Sequence, residues 1–278
     1  MDIIKASSAK EISQLGVIHM SACPPHYQNL LYEKSETPDG DKLESLKGKI
    51  FNYNNLEAIS CAVFSLFYHK LDYYSNNFLF RQYIHNMKKI GEGVNGIVIS
   101  VDFENTRNLF LLKGSTKEDL SHELSVGLNV ANLTRREIPN FAFVYGGFDC
   151  EPFIDSDNPI NICGIGEDKI KYVMYEYIDS SVTLAEFIAT NSRIEDVISL
   201  YIQAILSVLY ANQRFKFTHY DLHDQNVLVR DVSQDSFQIK YSYKSIDYYV
   251  KSWNIATIID YGLSYYEKDG ESRTSHTV

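Results

Sequence analysis

Apolar residues recur at three- and four-residue steps where Leu56, Ile59, Ala62, Val63 and Leu66 stand, a spacing that predicts a helix. Residues 1–87 read as a helical N-terminal extension, interrupted at residues 33–48 by a polar stretch holding the turn sequence Pro38-Asp39-Gly40. The pattern changes from Lys88 onward. Ile97-Val98-Ile99-Ser100-Val101 and Leu109-Phe110-Leu111-Leu112 are short apolar runs, rich in β-branched residues around glycines, and predict strands. Helical spacing returns over residues 115–136, opened by Thr116 and Asp119 in the acidic form of a capping box and stopped by Pro139. Residues 141–148 and 171–178 predict strands, separated by a loop rich in Asp, Asn, Gly and Pro. After Ser181 the chain reads as mainly helical, most clearly over residues 184–189 and 197–212. The order is an α+β arrangement in two lobes: an extension over 1–87, a strand-rich lobe over 88–178, and a second lobe over 179–278.

Composition narrows the function. At 278 residues and 45% apolar content the chain can bury a substantial core. A formal charge of -10 argues against a nucleic-acid partner, because neutralising phosphates needs surplus Lys and Arg. Cys23, Cys61, Cys150 and Cys163 form no C-x-x-C pair, so no zinc site or disulfide framework is signalled and reduced intracellular thiols are expected. The opening Met1-Asp2-Ile3-Ile4-Lys5 does not begin a secretory signal. The longest apolar-rich window, residues 58–68, is shorter than the roughly 20 residues a bilayer requires, so no membrane partner is expected.

The sharpest motif is His219-Tyr220-Asp221-Leu222-His223-Asp224-Gln225-Asn226, which fits H-x-D-x-x-x-x-N. Phosphoryl transfer needs a carboxylate to orient the attacking hydroxyl and an oxygen ligand for Mg²⁺ close by, and Asp221 and Asn226 offer both from one loop. Asp and Asn in a polar loop also serve as plain turn formers. Downstream, Ile258-Ile259-Asp260-Tyr261-Gly262 ends an apolar run in D-x-G, which suits a carboxylate for the same metal. Upstream, Gly91-Glu92-Gly93-Val94-Asn95-Gly96-Ile97-Val98 fits G-x-G-x-x-G-x-V. A strand follows these glycines where a dinucleotide-binding fingerprint would need a helix, so the hairpin that covers nucleotide phosphates is the better reading. Lys113 ends the next apolar strand, and Glu123 is its expected helical partner, with Glu118 and Glu137 as rivals.

Taken in chain order, these motifs over about residues 88–265 resemble the eukaryotic-type protein kinase fold. The fold implied is two-lobed and protein-kinase-like, with the helical extension in front and a shortened C-lobe. The resemblance implies ATP and Mg²⁺ as cofactors and Gly91, Gly93 and Gly96 over the phosphates. It implies Lys113 on the α- and β-phosphates, Glu123 holding Lys113, Asp221 as catalytic base, and Asn226 and Asp260 as metal ligands. Residues 171–178 look like the strand entering the hinge, with Tyr175 as gatekeeper and Glu176-Tyr177-Ile178 offering backbone groups to adenine. Val98 and Leu228 would sandwich the base. His122-Glu123, Val126-Gly127-Leu128, Asn132-Leu133, Arg136 and Ile138-Pro139-Asn140-Phe141, leading into Tyr145-Gly146-Gly147-Phe148-Asp149-Cys150, resemble the serine/threonine protein kinases of large nucleocytoplasmic DNA viruses, iridovirus-like ones included. That resemblance implies a protein substrate and a place in the host-cell cytoplasm.

The pattern also departs from an ordinary protein kinase. Tyr220 stands where an Arg usually precedes the catalytic Asp, and His223 stands where a Lys usually follows it. Leu111 replaces the small residue that packs on adenine. The stretch between Asn226 and Asp260 is long and aromatic, with room for extra strands or an extended hairpin, and no A-P-E follows. The expected function is transfer of the ATP γ-phosphoryl group to Ser or Thr. A pseudokinase, and a small-molecule kinase of the aminoglycoside or choline type, are the alternatives.

Overall fold

Short strands and helices build a mixed α+β molecule whose sheets, among the described residues, are antiparallel. The computed structural model describes residues 56–57, 60, 84–93, 96–103, 106–115, 117, 119–150, 170–190, 193–231, 236–268 and 270–274. Nearly all of the expected N-terminal extension lies outside these residues, as do Thr116 of the expected capping box, Glu118, and the loop over 151–169. The chain divides into two units: Met1–Leu124 with Val144–Tyr177, and Ser125–Phe143 with Ile178–Val278.

In the first unit, β1 (Ile84–Gly93), β2 (Gly96–Phe103), β3 (Thr106–Ser115), β4 (Val144–Cys150) and β5 (Ile170–Glu176) form one sheet in the order β1-β2-β3-β5-β4. Ile99 pairs with Leu112 and Leu112 with Met174, while Val101 pairs with Phe110. Partners across antiparallel strands share a face, and these residues are all fully buried. The opposite face carries Val98, Lys113 and Val173 in one row and Ser100, Leu111 and Tyr175 in the next. Val98, Leu111 and Lys113 are only half-buried.

The helix expected over 115–136 starts later, at α1 (Ser121–Val126). Ser115 is consumed as the last residue of β3, and the Asp119 carboxylate accepts from Ser121 N at 3.0 Å, an Asx-type start. After α1 comes a π-turn (Gly127–Ala131) and then α2 (Asn132–Arg135). Asn129 Nδ2 donates to the Ser125 carbonyl at 2.9 Å, supplying a partner where the helical register slips.

The second unit is richer in strands than the mainly helical reading after Ser181 expected. Its described residues hold β6 (Val182–Thr183), α3 (Leu184–Thr190), α4 (Ile194–Phe215), β7 (Val227–Asp231), β8 (Phe237–Tyr243), β9 (Ile246–Ser252), β10 (Asn254–Ile258), β11 (Tyr265–Lys268) and β12 (Glu271–Thr274). These strands form the sheet β10-β7-β6 and the hairpins β8-β9 and β11-β12. Leu184, Leu200, Val227, Val229 and Ala256 make a core, with Phe187 against it. A second, polar core lies beside α4. Asn140 donates to the Ala256 carbonyl at 2.8 Å and accepts from Tyr241 Oη at 2.8 Å, and Gln203 accepts from Ala256 N at 3.0 Å. Every member is hydrogen-bonded, so these buried groups specify the packing rather than penalise it. Among the described residues α4, 22 residues, is the one helix long and apolar enough to cross a bilayer by length and composition, longer than the apolar window over 58–68 that the sequence singles out. In this structure it packs against β8, β9 and β10.

Candidate active site

In the first unit, β1 and β2 pair Gly91 with Val98 and Gly93 with Gly96, closing the glycine-rich hairpin; its tip, Val94 and Asn95, lies outside the described residues. A Cβ on Gly96 would stand 2.2 Å from the Gly114 carbonyl oxygen, so packing alone demands glycine there. Gly91 differs. Among the described residues a Cβ there would meet the Val98 side chain at 3.7 Å, an ordinary contact.

Lys113 points from β3 toward α1, where its Nζ lies 2.9 Å from a Glu123 carboxylate oxygen. Glu123 is 2% exposed and also accepts from the Tyr175 hydroxyl. Of the rival partners, Glu137 is exposed and Glu118 lies outside the described residues. Tyr175, expected as gatekeeper, also donates to Glu123, a bond not expected from the sequence. The strand register held the clue, since Tyr175 pairs with Leu111, which shares its face with Lys113. Glu176 ends β5 opposite Phe110 and is buried, Ile178 is buried just beyond, and Ser181 Oγ donates to the Ile178 carbonyl at 2.9 Å. Val98 on β2 is half-buried.

In the second unit, α4 stops where Lys216 takes the left-handed conformation at φ 53, and Phe217 turns inward. Thr218 then exchanges two backbone bonds with Tyr265, at 2.9 and 2.8 Å, which fixes the start of the H-x-D loop. His219 is buried, edge-on to Phe217 and Tyr261, with Nε2 3.0 Å from the Ile259 carbonyl. A carbonyl oxygen can only accept, so Nε2 carries the proton. Burial pushes the imidazole below its ordinary range; the Ile259 carbonyl and the Asp260 and Asp221 carboxylates oppose this, and His223 adds to it. Both carboxylates therefore act on one buried ring.

Asn226 Nδ2 donates to the Asp221 carbonyl at 2.9 Å and to Asp221 Oδ2 at 3.1 Å. The loop closes through Asn226 N on the His223 carbonyl at 3.0 Å, and His223 Nδ1 accepts from Gln225 N at 3.3 Å. His223 Nε2 lies 3.1 Å from Asn226 Nδ2 and 3.8 Å from Asp221 Oδ2. Ile259 N donates to the Asn226 carbonyl at 3.1 Å, which ties the D-x-G segment to the same loop. Leu228 follows on β7, half-buried.

Two backbone outliers mark this loop pair. Tyr220 has φ 61 and is 70% exposed, and Asp260 has φ 62. Non-glycine residues hold that conformation only where their surroundings enforce it. The donor set fits a hard cation. Asn226 turns its NH₂ to Asp221 and to His223 Nε2, leaving the amide oxygen, and Asp260 adds a carboxylate. Among the described residues no three His, Cys, Asp or Glu side chains gather as a metal cage. Two oxygen ligands suit Mg²⁺, which keeps waters and completes its shell with substrate phosphate.

No family model matches the sequence. The chain is 29% identical over 158 residues to Uncharacterized protein 038R of Invertebrate iridescent virus 3, a match covering 52% of this chain and 28% of that protein. It is 29% identical over 151 residues to Probable kinase 098L of the same virus, covering 54% of this chain and 25% of that protein. A third relative, Uncharacterized protein 098R of Invertebrate iridescent virus 6, is 32% identical over 117 residues, covering 34% of this chain and 19% of its own. The matches therefore span between 19% and 28% of these longer relatives. By sequence, this chain is similar to iridovirus proteins, one of which is named as a kinase.

Proposed function

We propose that this chain is an ATP-dependent phosphotransferase with a two-lobed protein-kinase-like fold, passing the γ-phosphoryl group to Ser or Thr of a protein inside an infected host cell. The observation that carries the proposal is the bonding of Asn226 to both the backbone and the carboxylate of Asp221, with Asp260 tied to the same loop through Ile259. The iridovirus relative named as a kinase supports the general class, and the Ser/Thr preference rests on the motif resemblance.

Asp221 orients the acceptor hydroxyl and takes its proton as the oxygen attacks the γ-phosphorus and the bond to the β-phosphate oxygen breaks, releasing ADP. Asn226 holds the Asp221 carboxylate in place while its amide oxygen, with Asp260, serves as metal ligand. Bound Mg²⁺ would supply neutralisation of the phosphate charge. Lys113, steadied by Glu123, is the phosphate-binding cation of the first unit, and Gly91, Gly93 and Gly96 leave its hairpin backbone open to phosphate. Glu176 and Ile178 offer backbone groups to adenine, and Val98 and Leu228 offer apolar contact.

A second reading, a nucleotide-binding module without turnover, is favoured by Leu111, which shares its sheet face with Val98 and Lys113. Incubation with γ-labelled ATP, Mg²⁺, a generic protein substrate and a small-molecule panel separates the readings. Label on protein that disappears in Asp221→Ala supports the proposal. Label on a small molecule, or nucleotide binding with no transfer to anything, overturns it.

A further inference from the structure

The aromatic residue of the D-x-G segment carries a hydroxyl whose position the phosphotransferase reading leaves unused. Tyr261 is fully buried, and its Oη lies 2.9 Å from the Ile258 carbonyl and 3.0 Å from the Ala142 carbonyl. One hydroxyl proton is shared between these two acceptors. The first contact reaches back three residues and so closes a ring around Ile259 and Asp260, the residue held at φ 62. The second fastens that ring to the segment Asn140–Ala142, which already exchanges backbone bonds with the same strand: Ile258 N to the Asn140 carbonyl at 2.8 Å, and Ala142 N to the Ile258 carbonyl at 3.0 Å. Phe141, between them, stacks at a tilt on the Tyr261 ring with centroids 6.3 Å apart.

We infer that Tyr261 is a positioning residue: its hydroxyl, not merely its ring, holds the Asp260 backbone in the left-handed conformation that presents the carboxylate as a metal ligand. A phenylalanine would fill the same space against Phe141 and His219. It would leave the Ala142 carbonyl without this donor and Asp260 free to relax to the negative φ that an aspartate ordinarily adopts. The assignment rests on the proposed metal-nucleotide site and adds a claim about how that site is preset.

The test is a titration of Mg²⁺ at fixed ATP analogue, reading fluorescence of the bound nucleotide, for the native chain, Tyr261→Phe and Phe141→Leu. Tyr261→Phe is expected to raise the Mg²⁺ concentration at half-saturation by about three- to tenfold, the equivalent of one hydrogen bond, with metal-free nucleotide binding unchanged. Phe141→Leu, which disturbs the packing and keeps the hydroxyl, is expected to lower Tm and leave the Mg²⁺ midpoint in place. Equal midpoints for Tyr261→Phe and the native chain, or an equal shift in Phe141→Leu, overturn the inference. Failure of the native chain to bind the analogue with Mg²⁺ overturns the underlying functional reading instead. Should Tyr261→Phe not fold, hydrogen exchange of the native chain decides. Slow exchange at the Ile258 and Ile259 amides without metal supports a preset segment, and exchange that becomes slow only on adding Mg²⁺ contradicts it.

Discussion

The two units treat their carboxylates in opposite ways. Glu123 in the first unit is sealed, its side chain 2% exposed and taken up by Lys113 and Tyr175. Asp221 in the second unit is 42% exposed, with one oxygen held by Asn226 and room for an incoming group. A saturated carboxylate fixes a neighbour, whereas a half-open one can accept a proton. The same residue chemistry thus yields a scaffold in one unit and, on the proposed function, a reacting group in the other.

The largest expected effect comes from erasing the difference at Asp221. Asp221→Asn should lower phosphoryl transfer by about a thousandfold in a labelled-ATP assay, with Tm close to native. A large Tm loss would mean that Asp221 is structural like Glu123. Next is Lys113→Met, which takes the ammonium group away from the buried Glu123 carboxylate. It should cost about 2 kcal/mol in urea unfolding and weaken nucleotide binding, and a variant as stable as native would show the pair to be dispensable. Tyr175→Phe should cost about 1 kcal/mol while sparing transfer in large part. A stability unchanged from native would remove Tyr175 from the sealed cluster.

The smallest effect is one of pH. Burial lowers the folded-state affinity of His219 for a proton, so the unfolded chain binds that proton more readily. Its contribution to stability is complete above the ordinary histidine pKa of about 6.5 and is lost as pH falls below it. The slope of unfolding free energy between neutral pH and about pH 5 should flatten in His219→Gln; an unchanged slope would place the sensitivity elsewhere.

Much of this contrast is legible in the chain because motif residues sit where local pattern is strong. Residues 97–101 fall inside β2, 109–112 inside β3, and 197–212 inside α4, each from uninterrupted periodicity. β1 begins at Ile84, ahead of the pattern change at Lys88, and the strand expected over 141–148 begins at Val144. Phe141 instead makes a single parallel bridge to Ile258, a long-range pairing that no local pattern announces.

The hairpin β8-β9 was legible as room for extra strands or an extended hairpin, without its position. Its two-residue turn, Lys244-Ser245, holds positive φ at both positions without the Asn-Gly or Asp-Gly that usually marks such a turn. The π-turn at Gly127–Ala131 and the Tyr175 and Tyr261 hydroxyl bonds also escaped. The bonds from Tyr175 to Glu123 and from Tyr261 to Ala142 depend on partners far away in sequence. The metal-ligand assignment, by contrast, begins from residue types alone, and the geometry adds to it the way Asn226 divides its amide between Asp221 and a free oxygen.

The most direct test of that assignment is a crystal structure with an ATP analogue and Mn²⁺ in place of Mg²⁺, located by its anomalous scattering. The account predicts a peak within coordination distance, about 2.2 Å, of the Asn226 amide oxygen and an Asp260 carboxylate oxygen, with phosphate completing the shell. A nucleotide bound with its metal away from both residues would contradict it.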